Sequence, residues 1–217
     1  MRDPITAKQF HDAEGIDDWR VVSGGASAVY KTPSFSAGAA FAVTIATIAD
    51  ELDHHPDVDL RARSVTIRTR THSTNSLTEM DVALAQRIQL AARELDLVAD
   101  ASAVQTVFFA IDTGRFDEVQ PFWKAALGYK ERAANELHDP KRRGPLFWFN
   151  DKPHRAGRNR IHVDVSVPHD LAEARVQAVL DAGGRLLGDR YAPAWWSLID
   201  ADGNVCDIAT WRGRGDD

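Results

Sequence analysis

Between Ser36 and Leu52 the apolar residues Phe41, Ile45, Ile48 and Leu52 recur at helical spacing, which predicts one stripe of an amphipathic helix. Pro56 lies just beyond and stops its continuation. From Ser64 to Thr71 the pattern changes period. Val65, Ile67 and Thr69 alternate with Thr66, Arg68 and Arg70, as in a strand with one buried and one wet face. A second helix is predicted from Thr78 to about Leu97, with Ala83, Leu84, Ile88, Ala91 and Leu95 inward. Upstream, Lys8 to Ala13 forms a short helix ended by Gly15. Trp19 to Val22 and Ala28 to Tyr30 read as strands about the turn residues Ser23-Gly24-Gly25. A short extra strand falls near Asp59 to Arg61. The order is α-β-β-α-β-α with that strand added, and its open sheet edges invite pairing with a second copy.

Beyond a boundary near Val98 to Ser102 the organisation differs. A strand over Val104 to Ile111 and a helix over Phe116 to Leu127, ended by Gly128, are echoed later. The second pair is a strand over Arg160 to Val167 and a helix over Leu171 to Ala182, ended by Gly183-Gly184. Gln105 and His162 are separated by nearly the same offset as Gly128 and Gly184. Leu146 to Phe149, Trp196 to Ile199 and Val205 to Thr210 supply further strands, so two βαβββ units fit. The predicted domains are therefore residues 1–100 and 101–217.

Composition adds limits. The 217 residues are 44% hydrophobic and 27% charged, which excludes wholesale disorder. A net charge of −6 disfavours nucleic acid and anionic membrane as partners. No run approaches the roughly 18 apolar residues that span a bilayer, and the N-terminal stretch lacks the apolar core of a secretory signal. The single cysteine, Cys206, suits a reducing cytosol and is expected to be inert in its strand. A cytoplasmic protein is expected.

The chemistry-bearing residues of the first half sit at element ends, where side chains converge on clefts. His54-His55-Pro56 follows the first helix, His72 ends a strand, and Asp81 lies in the first turn of the next helix. Histidine both donates and accepts protons near neutrality. Singly, each is an ordinary structural residue: a His-His pair suits a surface loop, and Thr78-x-x-Asp81 is a helix-capping pattern. Adjacent histidines also make a poor pair of ligands for one metal ion. The joint spacing is what singles them out.

That spacing, Asp50-x-x-x-His54-His55-Pro56, then His72, then Thr78-x-x-Asp81, resembles the pterin-4a-carbinolamine dehydratase family over roughly residues 5–97. The resemblance implies an α-β-β-α-β-β-α saddle that forms homodimers or tetramers. It implies removal of water from 4a-hydroxytetrahydropterin to give quinonoid dihydropterin, which recycles the tetrahydrobiopterin-type cofactor of aromatic-amino-acid hydroxylases. His54, His55 and His72 would carry the acid–base catalysis, Asp81 and Pro56 would bind and orient the pterin, and no cofactor is required. Two positions depart from the family: Ala62 replaces a usual aromatic, and Asn75-Ser76 replaces a glycine-rich turn. Some members of the family serve as dimerisation partners of transcription factors.

In the second half, Phe122-Trp123-x-x-x-Leu127-Gly128, Asn159 to Asp164 and Asp200 to Asp207 resemble the glyoxalase/bleomycin-resistance (vicinal oxygen chelate) superfamily over about 104–212. The equivalent metal positions would be Gln105, a residue near Asn150, His162 and Asp207. Asn150 is a poor substitute for a carboxylate. The expectation is therefore no metal, with Gln105, His162 and Asp207 as the candidates should a divalent ion bind. A basic run, Lys141-Arg142-Arg143 with Lys152, His154, Arg155, Arg158 and Arg160, is interleaved with Phe147 and Trp148. It reads as a solvated loop, or as a grip for an anionic aromatic ligand. Trp195 and Trp196 read as core.

The sequence thus predicts an α+β protein: a dehydratase-like saddle followed by a paired βαβββ glyoxalase-like domain of unassigned ligand. Its function would be that of a 4a-hydroxytetrahydrobiopterin dehydratase, a hydro-lyase. The alternatives are a non-catalytic oligomerising regulatory module with a small-molecule domain, and metal-dependent lyase or dioxygenase chemistry in the second domain.

Overall fold

The computed structural model describes residues 3–152, 161–199 and 205–214. Their contacts divide the chain into two compact units, Met1–Gln105 with Thr210–Asp217, and Thr106–Ala209. The sequence reading gave everything after residue 100 to the second domain. In the structure Trp211 packs against the core of the first unit and stacks on His11 at 5.6 Å, which draws the chain after Ala209 back to it.

The first unit runs β1 (Pro4–Ile5), α1 (Ala7–His11), β2 (Arg20–Val22), β3 (Gly25–Lys31), α2 (Phe35–Leu52), β4 (Asp57–Arg61), β5 (Ser64–Thr69), β6 (Leu77–Thr78), α3 (Glu79–Glu94) and β7 (Val98–Ala99). Its main sheet has the order β2-β3-β5-β4, with β7 pairing on β3, and β1 forms a small ladder with β6. Taken from α1 to α3 without the two-residue strands, this is α-β-β-α-β-β-α. Ser23 and Gly24 both have positive φ, 52° and 67°, which suits the tight β2–β3 hairpin. Phe41, Ile45 and Ile48 of α2 and Leu84 and Ile88 of α3 share one core with Ala28, Tyr30, Val65 and Ile67 of the sheet. Gly38 lets α2 approach closely, since a Cβ there would lie 2.7 Å from Leu60 Cδ1.

Two expectations are corrected here. Leu95 was placed inward, but α3 ends at Glu94 and Leu95, its C-cap, is exposed. Its place in the apolar stripe is lost once the helical twist stops; Ala83 is only half-buried, and Val82, Ala85 and Ala92 are buried with Leu84, Ile88 and Ala91. No bilayer-length run was expected, yet α2 has 18 residues and a mean hydropathy of 1.3, enough to cross a membrane by length and composition. Its Phe41–Ile45–Ile48 stripe is core-facing.

The second unit comprises β8 (Thr106–Thr113), α4 (Phe116–Leu127), β9 (Lys130–Ala133), β10 (Glu136–His138), β11 (Leu146–Asp151), β12 (Ile161–Ser166), α5 (Ala172–Asp181), β13 (Arg185–Gly188), β14 (Trp195–Ile199) and β15 (Val205–Ala209). One sheet of order β13-β14-β15-β12-β8-β11-β10-β9 joins two βαβββ halves through the antiparallel β8–β12 pair. Alternation along each strand sends Phe109, Ile111, Phe147 and Phe149 to pack against Phe116, Val119 and Trp123 of α4. Val165, Leu198 and Ile208 likewise pack against Val176 of α5, with Trp196 beside them.

Candidate active site

The last turn of α2 is closed by Asp53 in left-handed backbone (φ 47°), and the His54 N–H bonds back to the Ala49 carbonyl at 3.0 Å. This turn throws His54 and His55 off the helix end in different directions. His54 goes inward, with only 11% of its side chain exposed, and its Nε2 lies 2.8 Å from Asp81 Oδ1. His55 stays exposed, 3.1 Å from Asp50 Oδ1 one helical turn back.

Asp81 is completely buried, and four donors converge on it within 2.8 Å. Oδ1 takes His54 Nε2 and the Thr69 hydroxyl (2.5 Å). Oδ2 takes the Thr71 hydroxyl (2.8 Å) and the Thr78 backbone N–H (2.8 Å). The Thr78–Asp81 capping box of α3 is therefore present, and the same carboxylate holds the histidine. Through this contact the buried carboxylate fixes the orientation of the His54 ring.

His54, His55 and His72 all line one cavity of about 230 Å³, with Asp53, Arg70, Thr71, Ser73 and Met80. Asp81 has no exposed surface and is bonded to two residues that line the cleft, His54 and Thr71. Pro56 is half-buried and is not among the lining residues. Ala62 is exposed in the β4–β5 turn and does not line the cleft. Sequence reasoning missed Thr69, Thr71 and Arg70. The signal for the threonines was present: they continue the inward alternation of Val65 and Ile67 with hydroxyls where apolar residues belong.

In the second unit, cross-strand partners share a face, so Asp112, Asn150, His162, Asp164 and Asp207 project from the side of the sheet opposite α4 and α5. Donor atoms of His162, Asp164 and Asp207 lie within 4.8 Å of one another. Asp207 Oδ1 is buried without a hydrogen-bond partner, and the buried Asp164 Oδ1 has only a long 3.3 Å contact with His162 Nε2. The neighbouring Asp164 raises the His162 pKa, chiefly through the side-chain contact, against the lowering effect of burial. Burial first, and then Asp164, raises that of Asp207.

One imidazole and two under-satisfied carboxylates are donors of the kind a divalent ion takes, and His162, Asp164 and Asp207 would hold it. The set inferred from the sequence is not the set assembled. Thr106 faces Ser166 while His162 faces Ala110, so Gln105 precedes the strand at the end away from His162. Asn150 donates to Asp112 at 3.0 Å. The basic run is likewise dispersed. Asp139 folds the 141–144 turn by accepting three backbone N–H bonds, Lys152 pairs with Asp112 at 3.1 Å, and Phe147 is core. His154, Arg155, Arg158, Arg160 and the Asp200–Asn204 part of the motif lie outside the described residues.

The fold thus defines an α+β protein of two unlike units, and comparison with known proteins assigns them. Residues 3–91 match the family described as pterin 4 alpha carbinolamine dehydratase, and residues 108–209 match a glyoxalase-like domain. A protein of Herpetosiphon aurantiacus, provisionally named a pterin-4-alpha-carbinolamine dehydratase, is 41% identical over 70 residues, covering 32% of this chain and 73% of that one. A Mycobacterium bovis protein of the same provisional name is 38% identical over 78 residues, covering 36% and 80%. Among solved structures, a transcriptional coactivator/pterin dehydratase from Brucella melitensis is 28% identical, with TM-score 0.39, covering 42% of this chain and 99% of that one. A glyoxalase/bleomycin resistance protein/dioxygenase superfamily member from Vibrio splendidus is 12% identical, with TM-score 0.34, covering 49% and 99%. Through its first unit, the chain belongs to the pterin-4a-carbinolamine dehydratase family.

Proposed function

We propose that the first unit dehydrates a 4a-hydroxytetrahydropterin to the quinonoid dihydropterin. The reading rests on one observation: three imidazoles, far apart in sequence, line a single cleft, and one of them is braced by a buried carboxylate. Loss of water requires a proton delivered to the departing C4a hydroxyl and a proton withdrawn from a ring nitrogen, so atoms balance with water as the only by-product. His54, held in place by the buried carboxylate, suits the withdrawal. His55 and His72, at the exposed side of the cleft, suit delivery. Positioned acid–base groups of this kind contribute about 10²–10⁴-fold each, and the step needs no metal or organic cofactor. A cavity of about 230 Å³ suits a small flat heterocycle better than a larger ligand.

Stopped-flow absorbance of freshly generated 4a-hydroxytetrahydropterin tests the proposal. The wild-type protein is expected to accelerate its decay, and His54→Ala, His55→Ala and His72→Ala to remove about 10²-fold or more each. Unaltered decay in the presence of wild-type protein would overturn it. We place this activity in the cytoplasm, in a homodimer or tetramer built through the first unit. The edge strand β4 and the exposed Val43 and Leu90 favour that assembly. For the second unit we propose small-molecule binding on the helix-free sheet face around His162.

A further inference from the structure

We propose that Arg70 is the specificity-determining residue of the cleft, reading the 4-oxo edge of the pterin ring; this rests on the dehydratase reading above. Strand β5 ends at Thr69, and Thr71 bridges to Ser76, closing a short loop that carries His72 and Asn75, with Arg70 at its foot. The Arg70 guanidinium donates to the Asn75 carbonyl, and Asn75 holds the left-handed backbone (φ 53°) that accompanies this contact. On another side the guanidinium packs near the bare α-carbon of Gly24, where a Cβ would lie 3.8 Å from Nη2. The arginine is half-buried and lines the same cavity as the three histidines. Much of the cost of ordering a long side chain is therefore met before a ligand arrives.

Among the described lining residues, Arg70 is the one permanently cationic group. The imidazoles must exchange protons during the reaction, whereas a guanidinium stays charged throughout. It can therefore recognise the ring without entering the proton traffic. It offers only donors. A pterin presents a carbonyl oxygen at C4, the atom next to the carbon that loses hydroxide, and N–H donation to that oxygen would register C4a against the histidines. A 4-amino ring presents donors at the same place, and donor would meet donor. Sites that hydrogen-bond a substrate group reject analogues lacking it strongly. In a cleft open to water we expect a preference of at least about tenfold.

The test is equilibrium binding of pterin and of 2,4-diaminopteridine to the wild-type protein, Arg70→Gln and Arg70→Lys, with turnover measured in parallel. The wild type is expected to prefer pterin by about tenfold or more. Arg70→Gln should bring the ratio near one and raise KM more than it lowers kcat. Arg70→Lys, which keeps the charge but loses the fork, should fall between. A wild type that turns over substrate yet binds both pteridines equally would overturn the role of Arg70 and leave the dehydratase reading standing. Retention of the full preference in Arg70→Gln would do the same. A wild type that binds neither pteridine would sink both.

Discussion

Two histidine–aspartate groups, one in each unit, use the same side chains in opposite ways. In the first unit Asp81 is fully buried and fully satisfied, by an imidazole, two threonine hydroxyls and a backbone N–H. In the second, Asp164 and Asp207 are half-buried near each other; Asp164 Oδ1 has only a long 3.3 Å contact with His162 Nε2, and Asp207 Oδ1 lacks a hydrogen-bond partner. A complete set of donors makes a carboxylate a rigid brace. An incomplete set leaves it to find a proton or a cation instead. The contrast separates a finished positioning network from a cluster whose state depends on what is dissolved around it.

The sharpest way to break that contrast is Asp81→Ala. It removes the carboxylate half of the α3 capping box and the His54 anchor, and it takes the acceptor from the buried hydroxyls of Thr69 and Thr71. Leaving buried donors without their acceptor costs about 1–3 kcal/mol. Urea denaturation should show that loss in the first unit, and turnover should fall with it because His54 loses its orientation. A loss below about 1 kcal/mol would mean that the threonines hold the site without the carboxylate.

The second unit offers a smaller, pH-dependent counterpart, read on chelator-treated protein. His162 has a raised pKa, so its contribution to stability is fully present below its unfolded value of about 6.5 and is lost as pH rises through the folded one. Asp207 is also raised, so the folded state holds its proton more tightly. That contribution is present below about 3.9 and is lost as pH rises through its higher folded value. Both signs make the second unit less stable as the solution becomes more alkaline. His162 is half-buried, so solvent screening keeps its share small. Thermal midpoints at pH 5 and pH 8 should differ in the wild type, and His162→Gln should flatten the part of the slope above about pH 6.5.

How much of this was legible in the chain differs between the two units for a physical reason. The His54, His55, His72 and Asp81 spacing is tied to local elements, a helix end, a strand end and a helix start, which a sequence states directly. Thr69 and Thr71 show in the chain as hydroxyls continuing the inward face of β5, but that α3 turns a carboxylate towards them is not legible there. In the second unit the duplication offset matched Gln105 with His162, but the two strands run antiparallel. Equivalent positions therefore fall at opposite ends of the pair. Asp164 joins His162 instead, because residues two apart share a face and β15 brings Asp207 alongside. Register across strands decides that grouping, and single-strand periodicity is blind to it.

The smallest expected effect sharpens the first site. Asn75 and Ser76 stand where the family has a glycine-rich turn, yet only Asn75 takes positive φ, 53°; Ser76 bridges to Thr71. The serine therefore carries none of the left-handed strain that its position suggested, and asparagine is among the residues that tolerate it. Asn75→Gly would relieve what strain remains while loosening the unfolded chain. These effects oppose each other, and the net change should stay within about 1 kcal/mol. The group that holds Arg70 is the backbone carbonyl of residue 75, which the substitution keeps. Binding of pterin relative to 2,4-diaminopteridine should therefore be unchanged in Asn75→Gly. A lost preference with intact stability would show that the asparagine side chain, and not the main-chain anchor, sets the position of the guanidinium.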